Sequence, residues 1–199
     1  MAATRTRQPR RLSPQARREQ LADAAMAVIA EHGFADFSLD AVAERAGVTR
    51  NLLYHYFPRG RIDLFLAALD RAGSELTEGW VMDSDLPVAE RTAANFERVA
   101  DRVMAPTDSW RVYRQARGLA DPEVQAMVRR YGDVVISSVA QNQLGTSDPS
   151  ALARVALSGY LAYVETALDE ARERGVGRDD VRKLLVETLT PTLKAVSSG

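Results

Sequence analysis

The chain has 199 residues, 46% of them hydrophobic, and no cysteine. That length suits one large or two small domains, and the apolar share is ample for a buried core. The lack of cysteine excludes disulfides, thiolate zinc sites and cysteine nucleophiles, and we expect a cytoplasmic protein. No run of eighteen apolar residues indicates a membrane span, and the basic N-terminus lacks the apolar core of a secretory signal.

The net charge of −1 is unevenly distributed. Residues 1–61 carry ten arginines against six acidic residues, a net charge of +4, whereas the remainder carries −5. A basic N-terminal piece on an acidic body indicates an anionic partner for one end of the chain. Residues 1–12 are predicted to form a flexible basic arm. The alternative is a solvated, disordered arm with no binding role.

Three helices are predicted after this arm. Ser13, followed by a proline, is typical of a helix start, and Gly33 ends the apolar periodicity that follows. Ser38 can cap a second, short helix, after which Gly47 supplies the positive φ of a tight turn. Thr49 can cap a third helix, which stops before the next proline.

The third helix is predicted to have two contrasting faces. Its apolar residues, with Val48 and Phe57 at either end, recur at helical spacing and would dock on the first two helices. The side chains left pointing outward are Arg50, Asn51, Tyr54 and His55. Such a helix fits the DNA major groove, where arginine can bind guanine and asparagine can bind adenine. The alternative is a three-helix module with a solvated polar face.

The segment FSLDAVAERAGVTRNLLYHYFPRGRIDLF, residues 37–65, resembles the DNA-binding region of the TetR-type transcriptional repressors. The matching features are a Ser/Thr before the second helix, an A-G-V turn, an L-Y-x-x-F run and a basic residue opening the fourth helix. The resemblance implies an all-α homodimer that binds a palindromic operator on double-stranded DNA. It places an N-terminal helix-turn-helix domain at 13–60 and a larger helical domain for ligand binding and dimerisation at 61–199.

The resemblance also assigns DNA contacts to individual positions. They fall on Ser38, Thr49, Arg50, Asn51, Tyr54, His55, Tyr56 and Arg61. Family members touch phosphates at the positions of Ser38, Tyr54 and Tyr56, and bases or nearby backbone at the others on the third helix. The sequence F-P-R-G-R departs from the usual F-x-x-K, so the phosphate contact that opens the fourth helix goes to Arg61 or to Arg59. Leu52, where many members have a smaller residue, can make only apolar contacts.

The remaining chain is predicted to be helical throughout. A connecting helix from Arg61 to about residue 79 precedes helices near 86–104, 108–119, 122–143, 149–174 and 179–196. Asp121-Pro122 and Asp148-Pro149 both resemble helix starts, and Pro191 is expected to kink or end the last helix. By the resemblance, the last two helices pair with those of a second subunit as a four-helix bundle. Small residues on the first of them would permit close approach, as would Leu184, Leu185, Thr188, Leu189 and Leu193 on the second. The alternative is a helix pair in a monomer core.

A ligand pocket would lie among the middle helices if the resemblance holds. The candidate lining residues are Phe96, Met104, Trp110, Tyr113, Met127 and Tyr131. Aromatic, adaptable and hydroxyl-bearing groups together suit an apolar ligand with one or two polar handles. The alternative is that these side chains are ordinary core.

Catalysis has little support in the sequence. The two histidines, His32 and His55, have no histidine partner at helical spacing and no catalytic constellation around them. We therefore predict no enzyme activity, metal or cofactor. The sequence predicts a DNA-binding transcriptional regulator, a repressor released from its operator by a small hydrophobic ligand. The alternatives are a helical ligand-binding protein and a DNA-binding protein without ligand switching.

Overall fold

The computed structural model describes residues 12–78 and 86–197, so residues 1–11 of the predicted arm at 1–12 lie outside the described residues. Within those ranges the chain forms nine α-helices and no strand, which confirms the all-α fold class. In chain order they are α1 (Pro14–Asp36), α2 (Leu39–Ala46), α3 (Arg50–Tyr56), α4 (Arg61–Thr77), α5 (Val88–Met104), α6 (Asp108–Arg117), α7 (Pro122–Leu144), α8 (Ala151–Arg174) and α9 (Arg178–Ser197). The chain divides into an N-terminal unit, Met1–Ala68, and a C-terminal unit, Leu69–Gly199.

Local capping groups set the helix ends of the N-terminal unit. The hydroxyl of Ser13 accepts a hydrogen bond from the Ala16 amide at 3.2 Å and starts α1. Gly33, at φ 83° and ψ 162°, interrupts α1 where the sequence predicts a break, and a short helical segment continues to Asp36. The starts of α2 and α3, and the turn between them, also lie where the sequence predicts them.

The N-terminal unit has its own closed core, to which each of its helices contributes. The fully or almost fully buried side chains are Leu21, Ala25, Val28, Ile29, Phe37, Val42, Leu53, Phe57, Leu64, Phe65 and Ala68. Burying this many large apolar groups is what holds helices as short as α2 and α3, which would not be stable alone.

The C-terminal unit is built from α5 to α9 and the second half of α4. Its main core cluster joins α5, α6, α8 and α9 through Phe96, Ala100, Val103, Trp110, Val164, Leu168, Ala171, Val181 and Leu185. A smaller cluster of Ile136, Ala140 and Leu157 joins α7 to α8. The hydroxyl of Tyr160 donates to the carbonyl of Leu185 at 2.7 Å and fixes α8 to α9.

One expectation for the C-terminal unit is wrong, and of the two outcomes expected at Pro191 one is excluded. Helix α8 does not start at Asp148-Pro149, because the hydroxyl of Ser150 accepts from the Ala153 amide and caps it instead. The carboxylate of Asp148 pairs with Arg154 at 3.0 Å. Pro191 does not end the last helix, which continues to Ser197.

Candidate nucleic-acid interface and cavity

The turn between α2 and α3 is fixed by three local features. The Ser38 hydroxyl accepts from the Ala41 amide at 3.1 Å at the start of α2. Gly47 then adopts φ 65° and ψ 38°, a left-handed conformation that disfavours residues with a Cβ. The Thr49 hydroxyl accepts from the Leu52 amide and starts α3. These local groups therefore fix where α2 and α3 start and where the turn between them lies.

Helix α3 is anchored by its apolar side and presents its polar side to solvent. Leu53 and Phe57 are 1% and 0% exposed. The exposed residues are Arg50, Asn51, Tyr54 and His55, and we call them the outward face of α3. Tyr56 is half-buried, with its ring edge-on to His55 at 5.1 Å between centroids.

Two polar side chains from α1 hold the C-terminal ends of α2 and α3. Arg18 donates to the carbonyl of Tyr56 at 2.8 Å, and its guanidinium lies 4.5 Å from the centroid of the Phe57 ring. Gln20 donates to the carbonyl of Ala46 at 3.3 Å. These contacts satisfy carbonyls that a helix end leaves without a partner, and they keep the outward face of α3 in one orientation.

Arg50, at the first position of α3, is held by Asp40, a neighbour that was not among the predicted site residues. Its Nη1 donates to both carboxylate oxygens of Asp40 in α2, at 3.3 and 3.0 Å. Its Nη2 lies 3.5 Å from the Tyr54 hydroxyl. The Tyr54 hydrogen bond and the Asp40 charge both raise the pKa of the Arg50 guanidinium. No sequence spacing signals the Asp40 contact, because it depends on the turn geometry.

The two arginines predicted to share a phosphate role both have intramolecular partners. Arg61 donates to the carbonyls of Phe34 and Ala35 at the end of α1, the latter at 2.9 Å. Arg59 places its Nε 2.7 Å from a carboxylate oxygen of Asp63. Neither partner pair is deeply buried, since both arginines are exposed. A phosphate could replace either set of contacts, and the choice between the two arginines stays a prediction.

The C-terminal unit contains a cavity of about 400 Å³. Its wall is mostly apolar and comes from α4, α5, α6, α7 and α8. The volume falls in the range of small-molecule sites, roughly 300–1,000 Å³. Three of the six predicted lining residues, Trp110, Tyr113 and Tyr131, lie in its wall.

The other three predicted lining residues lie elsewhere. Phe96 lines a smaller neighbouring cavity of about 70 Å³. Met104 packs against the core cluster of α5, α6, α8 and α9. Met127 is partly buried on α7 and is not among the lining residues of either cavity.

The polar lining of the larger cavity includes an ion pair, several donors and the acidic residue Asp133. Arg117 and Glu165 form an ion pair between α6 and α8. Arg102 donates to the carbonyl of Leu76 near the end of α4, and burial lowers the pKa of its guanidinium. Burial raises the pKa of Tyr113, so its phenol stays protonated at neutral pH and can donate. The cavity therefore suits a mainly apolar molecule with a polar or acidic end.

Tyr131 packs unusually closely against α4. Its hydroxyl donates to the carbonyl of Asp70 at 2.8 Å and lies 3.2 Å from the Ser74 hydroxyl. A Cβ on Gly73 would lie 2.2 Å from the Tyr131 ring, so a residue larger than glycine does not fit beneath the ring without movement. Gly73 and Tyr131 both line the cavity, and sequence reasoning missed the glycine.

Two kinds of site are missing from the part of the chain that the structure describes. No group of three or more metal-binding side chains comes together there. No helix within the described ranges is long and apolar enough to cross a membrane.

Comparison with known sequences identifies the region that contains the outward face of α3. Residues 21–68 match the sequence model of the bacterial regulatory proteins of the tetR family. Over 125 residues, 62% of this chain, the sequence is 29% identical to the HTH-type transcriptional activator FasR of Mycolicibacterium smegmatis. That match spans 57% of the length of FasR.

Comparison with solved structures agrees with the fold. A tetR-family transcriptional regulator from Streptomyces coelicolor superposes with a TM-score of 0.77 at 22% identity, covering 94% of this chain and 84% of that one. The regulator FadR of Bacillus subtilis, solved in complex with stearoyl-CoA, superposes with a TM-score of 0.62 at 17% identity. That match covers 90% of this chain and 97% of FadR.

Proposed function

We propose that the chain is a DNA-binding transcriptional regulator of the TetR family, and that it is a repressor released from its operator by a small, mainly apolar molecule. The observation that carries the proposal is the pairing of an exposed polar face on a firmly docked α3 with a cavity of about 400 Å³ in the other unit. The first suits DNA, and the second suits an effector.

The residues on and around α3 are proposed to make two kinds of DNA contact, one to bases and one to phosphates. Arg50 and Asn51 lie on the first turn, which enters the major groove in helix-turn-helix proteins and reads base edges. Thr49 and His55 flank them. Ser38, Tyr54 and Tyr56, with Arg61 or Arg59, are the proposed phosphate contacts, which fix position rather than sequence.

A homodimer is the assembly that we propose, because one short recognition helix reads too few base pairs to be specific. Helices α8 and α9 carry exposed apolar side chains that support such an interface. The most exposed are Leu152 and Val155 on α8, at 59% and 71%, and Leu184 on α9, at 49%. Leu185 and Leu189, expected at the interface, are instead buried within the chain.

The ligand switch is proposed to act through α4. This helix begins in the N-terminal unit, and its second half supplies Gly73, Leu76 and Thr77 to the cavity wall. A molecule in the cavity therefore contacts the same helix that opens with Arg61. It can change DNA affinity only by the difference in its own affinity for the two states. We expect inducer and operator to oppose each other by about 1–3 kcal/mol, reciprocally.

Long-chain acyl compounds are the first ligands to test. FadR of Bacillus subtilis, which shares this fold at 17% identity, was solved with stearoyl-CoA. The name of FasR as an activator favours a second candidate, in which the bound protein raises transcription.

The test combines a gel shift with calorimetry. Full-length protein is mixed with its own promoter DNA to define the operator, and stearoyl-CoA and palmitate are then titrated into free and operator-bound protein. The proposal expects a weaker titration with the operator-bound protein. Equal affinities for a probe whose binding is weakened by Ala162→Trp, a substitution of a half-buried residue in the cavity wall, would mean that this probe does not switch the protein. A reporter gene downstream of the operator separates repression from activation.

A further inference from the structure

Asp40 is an acidic residue beside the outward face of α3, the surface that the proposed function assigns to DNA binding. It lies in the first turn of α2, ten residues before Arg50, and its side chain is 70% exposed. A carboxylate there repels DNA phosphates and so weakens binding to every sequence. Because Asp40 also orients Arg50, its contact with Arg50 can offset this loss of affinity on one particular DNA sequence.

The contact between Asp40 and Arg50 uses only one nitrogen of the guanidinium. Only Nη1 of the guanidinium bonds to the carboxylate, while Nη2 faces the Tyr54 hydroxyl. A guanidinium has five N–H donors in a fixed fork, so several remain for an acceptor outside the protein. The guanidinium also lies 5.8 Å from the centroid of the Tyr54 ring. Arg50 is therefore oriented from two sides and still 51% exposed.

Orientation of this kind matters because arginine side chains are flexible. A free arginine loses rotamer freedom when it binds a base edge, and a side chain fixed beforehand loses less. On DNA without a suitable acceptor, the carboxylate would face the phosphates with no base contact to compensate. Specificity arises from such an added penalty as well as from the attractive contact.

We propose that Asp40 is a specificity-determining positioning residue, which holds Arg50 for base recognition and weakens binding to DNA that offers Arg50 no acceptor. This inference rests on the proposed function, since it requires Arg50 to contact a base. It assigns to α2 a part in sequence choice beyond the phosphate contact at Ser38.

A purely structural role for Asp40 is the competing explanation. An acidic side chain in the first turn of a helix interacts favourably with the helix dipole, and Asp40 is the acidic residue of that turn in α2. Such a role would change stability and leave the preferred DNA sequence as it is. Sequence preference is therefore the readout that separates the two explanations.

The experiment uses the full-length protein and a randomised DNA library. Asp40→Asn is compared with Glu44→Gln, which removes one charge from the exposed face of the same helix. Binding selection gives the base profile, and titration gives the affinity for the selected site and for a scrambled duplex. We expect Asp40→Asn to bind scrambled DNA severalfold more tightly and to lose about tenfold of its preference at one base pair per half-site. Glu44→Gln should keep the wild-type profile.

Two further variants decide how Asp40 acts. In an Arg50→Ala background, Asp40→Asn should leave the profile unchanged, because no guanidinium remains to be positioned. Asp40→Glu keeps the charge and the dipole interaction, and it should recover part of the preference. Asp40→Glu also keeps the test available if Asp40→Asn fails to fold, as judged by its thermal unfolding.

The outcomes separate failure of this inference from failure of the proposed function. An Asp40→Asn profile identical to that of the wild type, with or without a lower melting temperature, would overturn the inference alone. A profile change that persists in the Arg50→Ala background would also overturn it, because Asp40 would then act without Arg50. A wild-type protein that selects no sequence from the library would overturn the proposed function itself.

Discussion

Both units are built from helices with one apolar side, but the helices serve different purposes in the two units. In the N-terminal unit the apolar side chains form a closed core, and the polar groups proposed to contact DNA, such as Arg50 and Tyr54, point outward. In the C-terminal unit a space of about 400 Å³ remains between the helices, and polar groups such as Arg102 and Tyr113 line it. A surface for a large, charged partner can be built on one helix, whereas an enclosed site for a small molecule needs several.

The largest expected effect tests whether the N-terminal unit is the electrostatic end of the molecule. A dimer that neutralises six or more phosphates releases counterions on binding. Its operator affinity should therefore fall by about a thousandfold or more between roughly 50 and 200 mM salt. Titrations at four salt concentrations give the slope.

Deleting residues 1–11 refines that result, because this segment carries four arginines and no acidic residue. The deletion should flatten the slope and leave the preferred sequence unchanged. A changed sequence preference would mean that the segment contacts bases in a groove, contrary to its assignment as a phosphate contact.

The next effect concerns the outward face of α3. Arg50→Ala or Asn51→Ala should cost about 1–3 kcal/mol on the operator and relax the preference at one base pair per half-site. Tyr56→Phe removes a proposed phosphate contact and should weaken all sequences about equally. Binding selection with each variant measures both properties. Unchanged profiles for Arg50→Ala and Asn51→Ala together would rule out direct base recognition by α3.

These two predictions could be framed from sequence alone because the information in α3 is local. The caps at Ser38 and Thr49, the glycine at 47 and the apolar spacing all lie within twenty residues, and each acts on its immediate neighbours. Contacts that cross the turn were not predictable in this way. The link from Asp40 to Arg50 and that from Arg61 to the end of α1 depend on packing angles that no periodicity encodes.

The cavity shows the same limit more strongly. Its wall is assembled from five helices spread over residues 73–165, so membership depends on how those helices pack. Aromatic residues in the middle helices were reasonable candidates, and half of the six lie in the wall. The methionines at 104 and 127, chosen as adaptable side chains, do not lie in the wall. The close approach at Gly73 leaves no signal in the helical pattern of the sequence. Composition can indicate that a ligand site exists, but it does not determine which residues line the cavity.

A third prediction tests that close approach in the C-terminal unit. Gly73→Ala places a methyl group where the Tyr131 ring lies, at 2.2 Å, so the ring or α4 must move. Overpacking of this kind costs about 1–3 kcal/mol of stability. Thermal and denaturant unfolding of the full chain measure the loss.

The matched control for Gly73→Ala is Gly132→Ala on α7, where a Cβ would meet nothing within 4 Å. It should leave stability unchanged or raise it by up to about 1 kcal/mol, because alanine favours a helix over glycine. Tyr131→Leu added to Gly73→Ala should recover part of the loss by removing the ring. Equal effects of the two glycine substitutions would mean that Tyr131 adapts freely and does not constrain α4.

The smallest expected effect concerns the helix start that the sequence pattern placed wrongly. Two adjacent candidates, Asp148 before a proline and Ser150, could each cap α8, and local propensity alone does not separate them. In the structure the Ser150 hydroxyl bonds to the Ala153 amide, while the Asp148 side chain is 94% exposed and pairs with Arg154. Ser150→Ala should therefore destabilise the chain by about 1 kcal/mol, measured as a shift in the denaturant midpoint at constant slope. Asp148→Ala should cost less, because exposed ion pairs contribute little. A larger loss from Asp148→Ala would place the cap at Asp148 after all, and the first turn of α8 would then begin where the sequence predicts.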